Sequence, residues 1–578
     1  MPQLKPHETN RDIENHWRRL DVHRWSDHPE VNDFIGRIYD EHITPHLNKS
    51  LHAKGAKKML KVLLLDLYCA WIDDPTMSIA WSRMLAHYKP KSIYNKLHIT
   101  RKIIDIVDLC SDAGLINHVI GFYDRRDGGQ SRSPKMWPTQ KLVAEFEKAA
   151  FNRFDFRSIG QETIRLHDDD KALVEYQDTP TVIKMRKVLD QYNQLLFEHH
   201  IDLSNIDRPY VQSPRNKKHK INKTTGKVYA YPATELVKDK KKDKYKTAKI
   251  RKLPINQDHF VYRVFNNSWS KGGRFYGGFW QHIPRDYRRF IRINGERTIE
   301  VDFSSHHAVL VYAMAGINYW NEKGLMDDPY AIEEELEKIA GPIGNGTRAT
   351  VDKNRQYSGG DERELIKQLL LTGLNARSEK DTIMAARKKI YQSAGHYNHN
   401  YAKLTNELLY TYLEAIKLKH KPIKKYLGSN ASLDLQYLDS KISEAIILDF
   451  MKSGIPILSV HDSYIVWEKY ADDLRECMNE EWRKFSGLPN KKLVENVFGA
   501  DLPTTINIKQ KGYYQEEYQP EEEEGGSLHQ EIMSIKNKEH VSSRHENELK
   551  KFMLWRGRED NRNRIKESGL RDQRYEEG

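Results

Sequence analysis

The sequence predicts an α+β protein, with a mostly helical N-terminal half followed by a C-terminal half that combines a buried strand, a hairpin and helices. Three observations carry that expectation. Apolar residues recur at helical spacing in AKKMLKVLLLDLYCAWIDD, from Ala56, and in RKIIDIVDLCSDAG, from Arg101. TIEVDF, from Thr298 to Phe303, reads as a buried strand that runs into a helical stretch over Ala308–Ala315. Two β-rich runs flank His461–Asp462–Ser463 in IPILSVHDSYIVWE, which is the pattern of a hairpin with an acid at its tip.

Taken in order, residues 1–55 form a polar, helical N-terminal extension, with Trp17, Leu20, Phe34 and Ile38 as packing contacts. Residues 56–150 read as helix, helix, helix, hairpin. The first helix starts at Ala56, and MSIAWSRMLAHY (Met77–Tyr88) is the second. Thr100 caps the third, in which Ile103, Ile104, Val107 and Cys110 share a face, and Gly114 ends it. LINHVIGFYD then leads into the basic turn RRDGGQSRS, and KMWPT returns. Three helices and a basic-tipped hairpin resemble a winged helix-turn-helix domain. In that reading the third helix enters a major groove, and Arg125, Arg126 and Arg132 touch backbone phosphates. A winged helix serving only protein contacts is the alternative, and the basic tip favours DNA.

Residues 151–255 form a helical connector and a Lys-rich linker, RNKKHKINKTTGK followed by KDKKKDKYKTAKIRK. Such a run is a solvated linker, or a hold on a nucleic-acid backbone. Residues 516–578 read as a charged tail, disordered or a loose helix.

The chain has 578 residues, enough for several domains. Its 94 basic and 82 acidic residues leave a net charge of +12, which suits a polyanionic partner, because Lys and Arg release phosphate counterions. Thirty-one tyrosines and 11 tryptophans add stacking platforms. No apolar run is long enough to span a bilayer, so no membrane partner is expected, and MPQLKPHETNRD has no apolar signal core. Three scattered cysteines, Cys69, Cys110 and Cys477, form no CxxC pair and no disulfide framework, which fits a cytoplasmic location.

Four segments between Gly272 and Glu468 carry candidate chemistry. Asp302 sits at a strand-to-helix junction, where its carboxylate and the backbone carbonyl of Phe303 offer a metal hard oxygen ligands. The bland reading is an Asp that caps the next helix. Asp462 sits at the hairpin tip, and alone it reads as an ordinary polar turn. In DERELIKQLLLTGLNA, Arg363, Lys367, Leu371 and Asn375 recur every fourth position along one helix face. Two cations one turn apart repel each other unless an anion such as a triphosphate lies between them. GGRFYGGFWQHIP lets the backbone approach closely, with Arg274 and Gln281 as donors to a nucleic-acid groove or backbone.

The ordered set resembles the polymerase domain of family A DNA polymerases and of single-subunit phage-type RNA polymerases. The resemblance rests on Gly273-Arg274-Phe275 with Gln281-His282-Ile283-Pro284, on Asp302-Phe303-Ser304-Ser305 running to Gly316 (motif A), on Arg363 and Lys367 followed by Leu371 and Thr372 (motif B), and on Val460-His461-Asp462 (motif C). It covers roughly 260 to 470 and not the N-terminal half. It implies a right-hand palm with an antiparallel sheet and helical fingers over 256–515. Asp302, Asp462 and the Phe303 carbonyl would hold two Mg2+ ions, with Mn2+ able to substitute. One ion would activate the primer 3′-hydroxyl and the other would neutralise the triphosphate and leaving pyrophosphate. Lys367 and Arg363 would hold the phosphates, with Lys367 as an acid for the pyrophosphate. His461 would orient the primer end, and Arg274 and Gln281 would track the duplex. His307, Leu371 and Asn375 fall at the nucleotide and sugar pocket.

The departures bear on sugar choice. Ser463 stands where the DNA-making branch has Glu, as in the RNA-making branch, His307 replaces the glutamate that rejects ribose, and Asn375 replaces a tyrosine late in motif B. The expected function is a DNA-dependent DNA polymerase of a plasmid, phage or integrated element. It would act on a DNA primer–template with nucleoside triphosphates, and on double-stranded origin DNA through the winged helix. The alternatives are a single-subunit RNA polymerase or primase-polymerase, and a catalytically silent DNA-binding replication initiator. Gly341–Asp361 reads as a Gly-rich mobile loop, and the N-terminal half lacks paired DxE carboxylates in a strand-like context, so proofreading is not expected.

Overall fold

Helix Pro29–Ile38 buries Val31, Phe34, Ile35 and Ile38, spaced so that all four share one face. That face packs into the same core as helix Ala53–Asp73 and helix Ile103–Asp112, and the core runs from Val31 to Phe156. The core therefore crosses residue 55, and Val31–Ile43 belong to the same core as the helices that follow. The computed structural model describes residues 13, 16–46, 53–122, 132–158, 161–214, 236–239, 244–247, 250–256, 259–319, 323, 327–342, 362–393, 405–485, 508–511 and 541–558. Arg125 and Arg126, most of the Lys-rich linker and most of the Gly-rich insertion lie outside the described residues.

In the middle of helix Ala53–Asp73, Val62, Leu63, Leu64 and Leu65 are all buried, as a helix enclosed on every side requires. Asp66 is buried among them and is satisfied by Arg18 at 2.7 Å and Arg24 at 3.1 Å. A four-stranded sheet covers these helices, in the order Trp17–Arg19, Ser78–Ala80, Lys135–Pro138, Ile116–Val119. The second helix expected over Met77–Tyr88 is not formed. Ser78–Ala80 is instead a fully buried strand with partners on both sides, and Leu85–His87 is a single 3-10 turn. Short apolar runs fit either period, and here tertiary pairing overrides helical propensity. The hairpin stem closes at a bridge between Phe122 and Arg132. The Arg132 guanidinium lies 5.2 Å from the centre of the Phe122 ring.

The C-terminal half is mixed α and β, and its largest sheet is wholly antiparallel. The order is Leu458–Val460, Ser463–Trp467, Glu296–Phe303, Ile291–Ile293, Ile201–Leu203, with Ile508–Lys511 also paired to Glu296–Phe303. Helices Pro180–Phe197 and Ser432–Lys452 share its core, and Tyr192 of the first donates to the Ile457 carbonyl. A smaller sheet, Ile164–His167, Val261–Asn266 and Ser268–Gly277, joins the same core. Helices Glu333–Ala340, Glu362–Asn375 and Asn406–Lys419 form a separate helical core around Leu336, Leu369, Leu370, Leu409 and Ile416. No described helix is long and apolar enough to cross a membrane.

Within the segment expected to be a charged tail, Ser543–Gly557 is an ordered helix that buries His545, Phe552 and Trp555. Ser542 caps it, accepting from the His545 backbone N–H. The helix joins both halves of the protein. The Trp555 indole donates to Asp155 at 2.8 Å, and the Ser542 N–H donates to the Ser204 carbonyl at 2.7 Å. Its three anchors lie on one helix face, but charged residues surround them in sequence and hide the pattern. Trp555→Ala is expected to cost about 3–5 kcal/mol. The measurement is proteolysis of 541–558, which should become much faster than in the parent; an unchanged cleavage rate would show that the helix is held elsewhere.

Candidate active site at paired strand ends

Strand Glu296–Phe303 alternates buried Ile299, Val301 and Phe303 with more polar positions, and it delivers Asp302 half-buried at its C-terminal end. In the antiparallel register Asp302 lies opposite Ser463, and the Phe303 N–H donates to the Asp462 carbonyl at 3.3 Å. The two acids read from sequence thus stand at the ends of adjacent strands. Left-handed backbone occurs in both segments: His461, at φ +59, occupies the two-residue turn with Asp462, and Ser305, at φ +53, three residues after Asp302, precedes helix His306–Met314. Such conformations are unfavourable for residues other than glycine and persist where the surrounding fold imposes them.

A third carboxylate shares this face. Glu300, two residues before Asp302, accepts both arms of Arg288 at 3.0 and 2.9 Å and the Ser463 hydroxyl at 2.7 Å. The same Ser463 hydroxyl also has the Val460 carbonyl at 3.2 Å.

Arg274 is the hub behind the acids. The glycines around it are required: a Cβ on Gly273 (φ +80) would meet the Phe265 ring at 2.7 Å, and one on Gly277 (φ +103) would meet the Phe260 carbonyl at 2.1 Å. The Arg274 Nε donates to Asp439 at 2.6 Å, and its Nη2 donates to His307 Nε2. Asp439, almost fully buried on helix Ser432–Lys452, also meets His306 at 3.1 Å. Burial would raise the Asp439 carboxyl, but the Arg274 charge and the His306 hydrogen bond hold it well below the usual carboxylate range. Burial opposes the charge on Arg274, and the carboxylates of Asp439 and Asp462 outweigh that penalty, so its pKa rises. Asp439 was not singled out from sequence, because an Asp on a helix carries no signal until its partners 165 and 133 positions away are known.

Gln281 is turned inward, donating to the carbonyls of Ser459 at 2.9 Å and Phe275 at 3.2 Å. The hydrogen bonds of Arg274 and Gln281, expected for a duplex, are thus made inside the protein, where they tie the glycine-rich segment to the acid-bearing hairpin and its neighbours. The exposed His461 ring meets Tyr276 edge-on at 5.8 Å.

A cavity of about 180 Å³ opens beside this hub. His307, Leu371 and Asn375, the three residues expected at a sugar pocket, all line it, together with Arg274, Lys389 and Gln436. No acidic side chain is among its described lining residues. On helix Glu362–Asn375, Arg363 is paired with Asp328 at 2.5 and 3.0 Å and lies 4.9 Å from the centre of the Tyr330 ring. The anion expected beside Arg363 is therefore supplied by the chain itself. Lys367, half-exposed, has Glu364 at 3.9 Å.

No protein-family model matches the chain, and no curated protein matches it. The argument for the site rests on the geometry above. Among the described residues, His200, Asp202 and His545 form a group that could hold a metal ion, with ligand atoms within 4.8 Å of one another. Sequence reading missed it because Asp202 and His545 are 343 positions apart.

Four histidines, His200, His259, His307 and His420, are pushed down to about 4, each chiefly by burial. They stay neutral in the native state, whereas the unfolded chain takes up protons near 6.5. As pH falls from 6.5 toward 4 the unfolded state binds more protons, so stability is lost across that window and is flat above it. Thermal melts should show Tm falling steadily below about pH 6.5; a Tm that holds down to about pH 5 would count against this reading.

Proposed function

We propose that this chain is a template-directed nucleotidyltransferase, a DNA-dependent DNA polymerase of a plasmid, phage or integrated element. One observation carries the proposal: Asp302 and Asp462, remote in sequence, end adjacent strands of one antiparallel sheet. The sheet with helix Ser432–Lys452 behind it corresponds to a palm, and the helical group bearing Arg363 and Lys367 corresponds to fingers. In the N-terminal body, helix Ile103–Asp112 and the hairpin after it, with Ser78–Ala80 against the returning arm, support the winged-helix reading, and a 3-10 turn at Leu85–His87 stands where its second helix was expected.

Magnesium suits this donor set, because both acids and the Phe303 carbonyl are hard oxygen ligands. Bound there, Mg2+ would supply Lewis-acid stabilisation of phosphoryl and attacking oxygens. The chain's own residues account for the rest. Lys367 is available to hold phosphate and to donate a proton to the leaving pyrophosphate. Arg363 joins it by exchanging Asp328 for phosphate. His307 and Asn375 meet the sugar in the cavity, and His461 lies where a primer end would approach Asp462. The absence of an acid from the described lining favours a second reading, in which ribonucleotides are also accepted.

The test is extension of a labelled DNA primer on a DNA template with magnesium and either dNTPs or rNTPs. Extension with dNTPs supports the proposal. Extension chiefly with rNTPs assigns the enzyme to the RNA-making class and makes His307 and Asn375 the next residues to vary. No extension with either set, with manganese, or on an RNA template overturns the catalytic reading in favour of a silent DNA-binding initiator.

A further inference from the structure

The C-terminal helix docks on edge strand Ile201–Leu203 through a cluster with more imidazole than an ion pair needs. Arg544 donates to Asp202 Oδ1 at 3.0 Å, and His545 Nδ1 meets Asp202 Oδ2 at 2.7 Å. His200 lies beside them, with ring centres 5.8 Å from His545. It is only 6% exposed, and its Nδ1 is buried without a hydrogen-bond partner. A buried imidazole nitrogen left unpaired is costly and calls for a ligand. His259, electrostatically coupled to His200 and Asp202, also has a ring nitrogen, Nε2, buried without a partner.

We propose that His200, Asp202 and His545 form a structural site for a zinc-class divalent cation that locks the C-terminal helix onto the sheet. Two imidazoles and one carboxylate are a borderline-soft N2O set, suited to zinc and poorly suited to magnesium, which prefers oxygen alone. Water completes the coordination. Arg544 keeps Oδ1 and the metal takes Oδ2. His545 Nδ1 gives up its hydrogen bond to that oxygen and binds the metal through its lone pair, its ring proton being carried on the nitrogen that does not bind. The ligands come from segments 343 positions apart, so occupancy would couple metal binding to closure of the whole chain.

The test uses the full chain, loaded with zinc and then desalted, with bound metal measured by mass spectrometry. One zinc per chain is expected. It should persist in an Asp302→Ala/Asp462→Ala double variant, which separates this site from the proposed catalytic one. It should fall by about tenfold or more in a His200→Ala/His545→Ala double variant. Should that variant fail to fold, the parent decides alone: chelator should speed proteolysis within 541–558 by about tenfold over the zinc-loaded chain, and magnesium should not restore protection. Zinc that is not retained, or a helix cleaved equally fast with zinc and with chelator, would overturn the proposal and leave Arg544–Asp202–His545 as a plain ion pair.

Discussion

Asp302→Ala and Asp462→Ala are each expected to cut primer extension by about a thousandfold or more while the protein stays folded. Both carboxylates end strands whose pairing is made by the backbone, so truncating either side chain leaves the register between Glu296–Phe303 and Ser463–Trp467 in place. The alanine variants should therefore melt close to the parent, because the change falls on half-buried groups at a strand end. Asp302→Asn and Asp462→Asn keep the shape and remove the charge, and they should be nearly as inactive. Single-turnover extension with magnesium, beside a thermal melt, is the measurement. A variant that extends at the parental rate would remove that acid from the chemistry; equal loss of activity and of Tm would make its role structural.

Asp439→Ala is expected to produce the largest loss of stability of any single change at the site. Its removal leaves the buried Arg274 guanidinium without its 2.6 Å partner and His306 without its 3.1 Å one. Breaking one side of a buried pair typically costs about 3–5 kcal/mol. Arg274 would then be free to reorient, releasing His307 and altering the cavity that both line. An Asp439→Leu/Arg274→Met double variant should recover much of the stability, because no charge is left stranded. Urea melts of the two single variants and the double give the coupling. A cost below about 1 kcal/mol for Asp439→Ala would mean that solvent or another carboxylate takes over Arg274.

Much of the candidate site was legible because its signals are local. Arg363, Lys367, Leu371 and Asn375 share a face by the geometry of one helix, and the structure does form that helix over Glu362–Asn375. Asp302 at a strand end and Asp462 in a hairpin turn followed from the patterning on either side of them. The reading failed where a short segment fits two periods, as at Ser78–Ala80. It allowed a loose helix in the tail but missed that Ser543–Gly557 packs against the body, because its buried anchors are diluted by charge.

The sequence by itself determined which elements carry the acids and the cations, since covalent geometry sets the spacing of side chains along a single strand or helix. Only the tertiary structure decided how those elements pair. It put Asp302 opposite Ser463, gave Arg274 to Asp439, gave Arg363 to Asp328, and brought His545 to Asp202. Those partners lie tens to hundreds of residues apart, and what brings them together is the packing of buried faces and the need to satisfy each buried charge, neither of which is written in any local pattern.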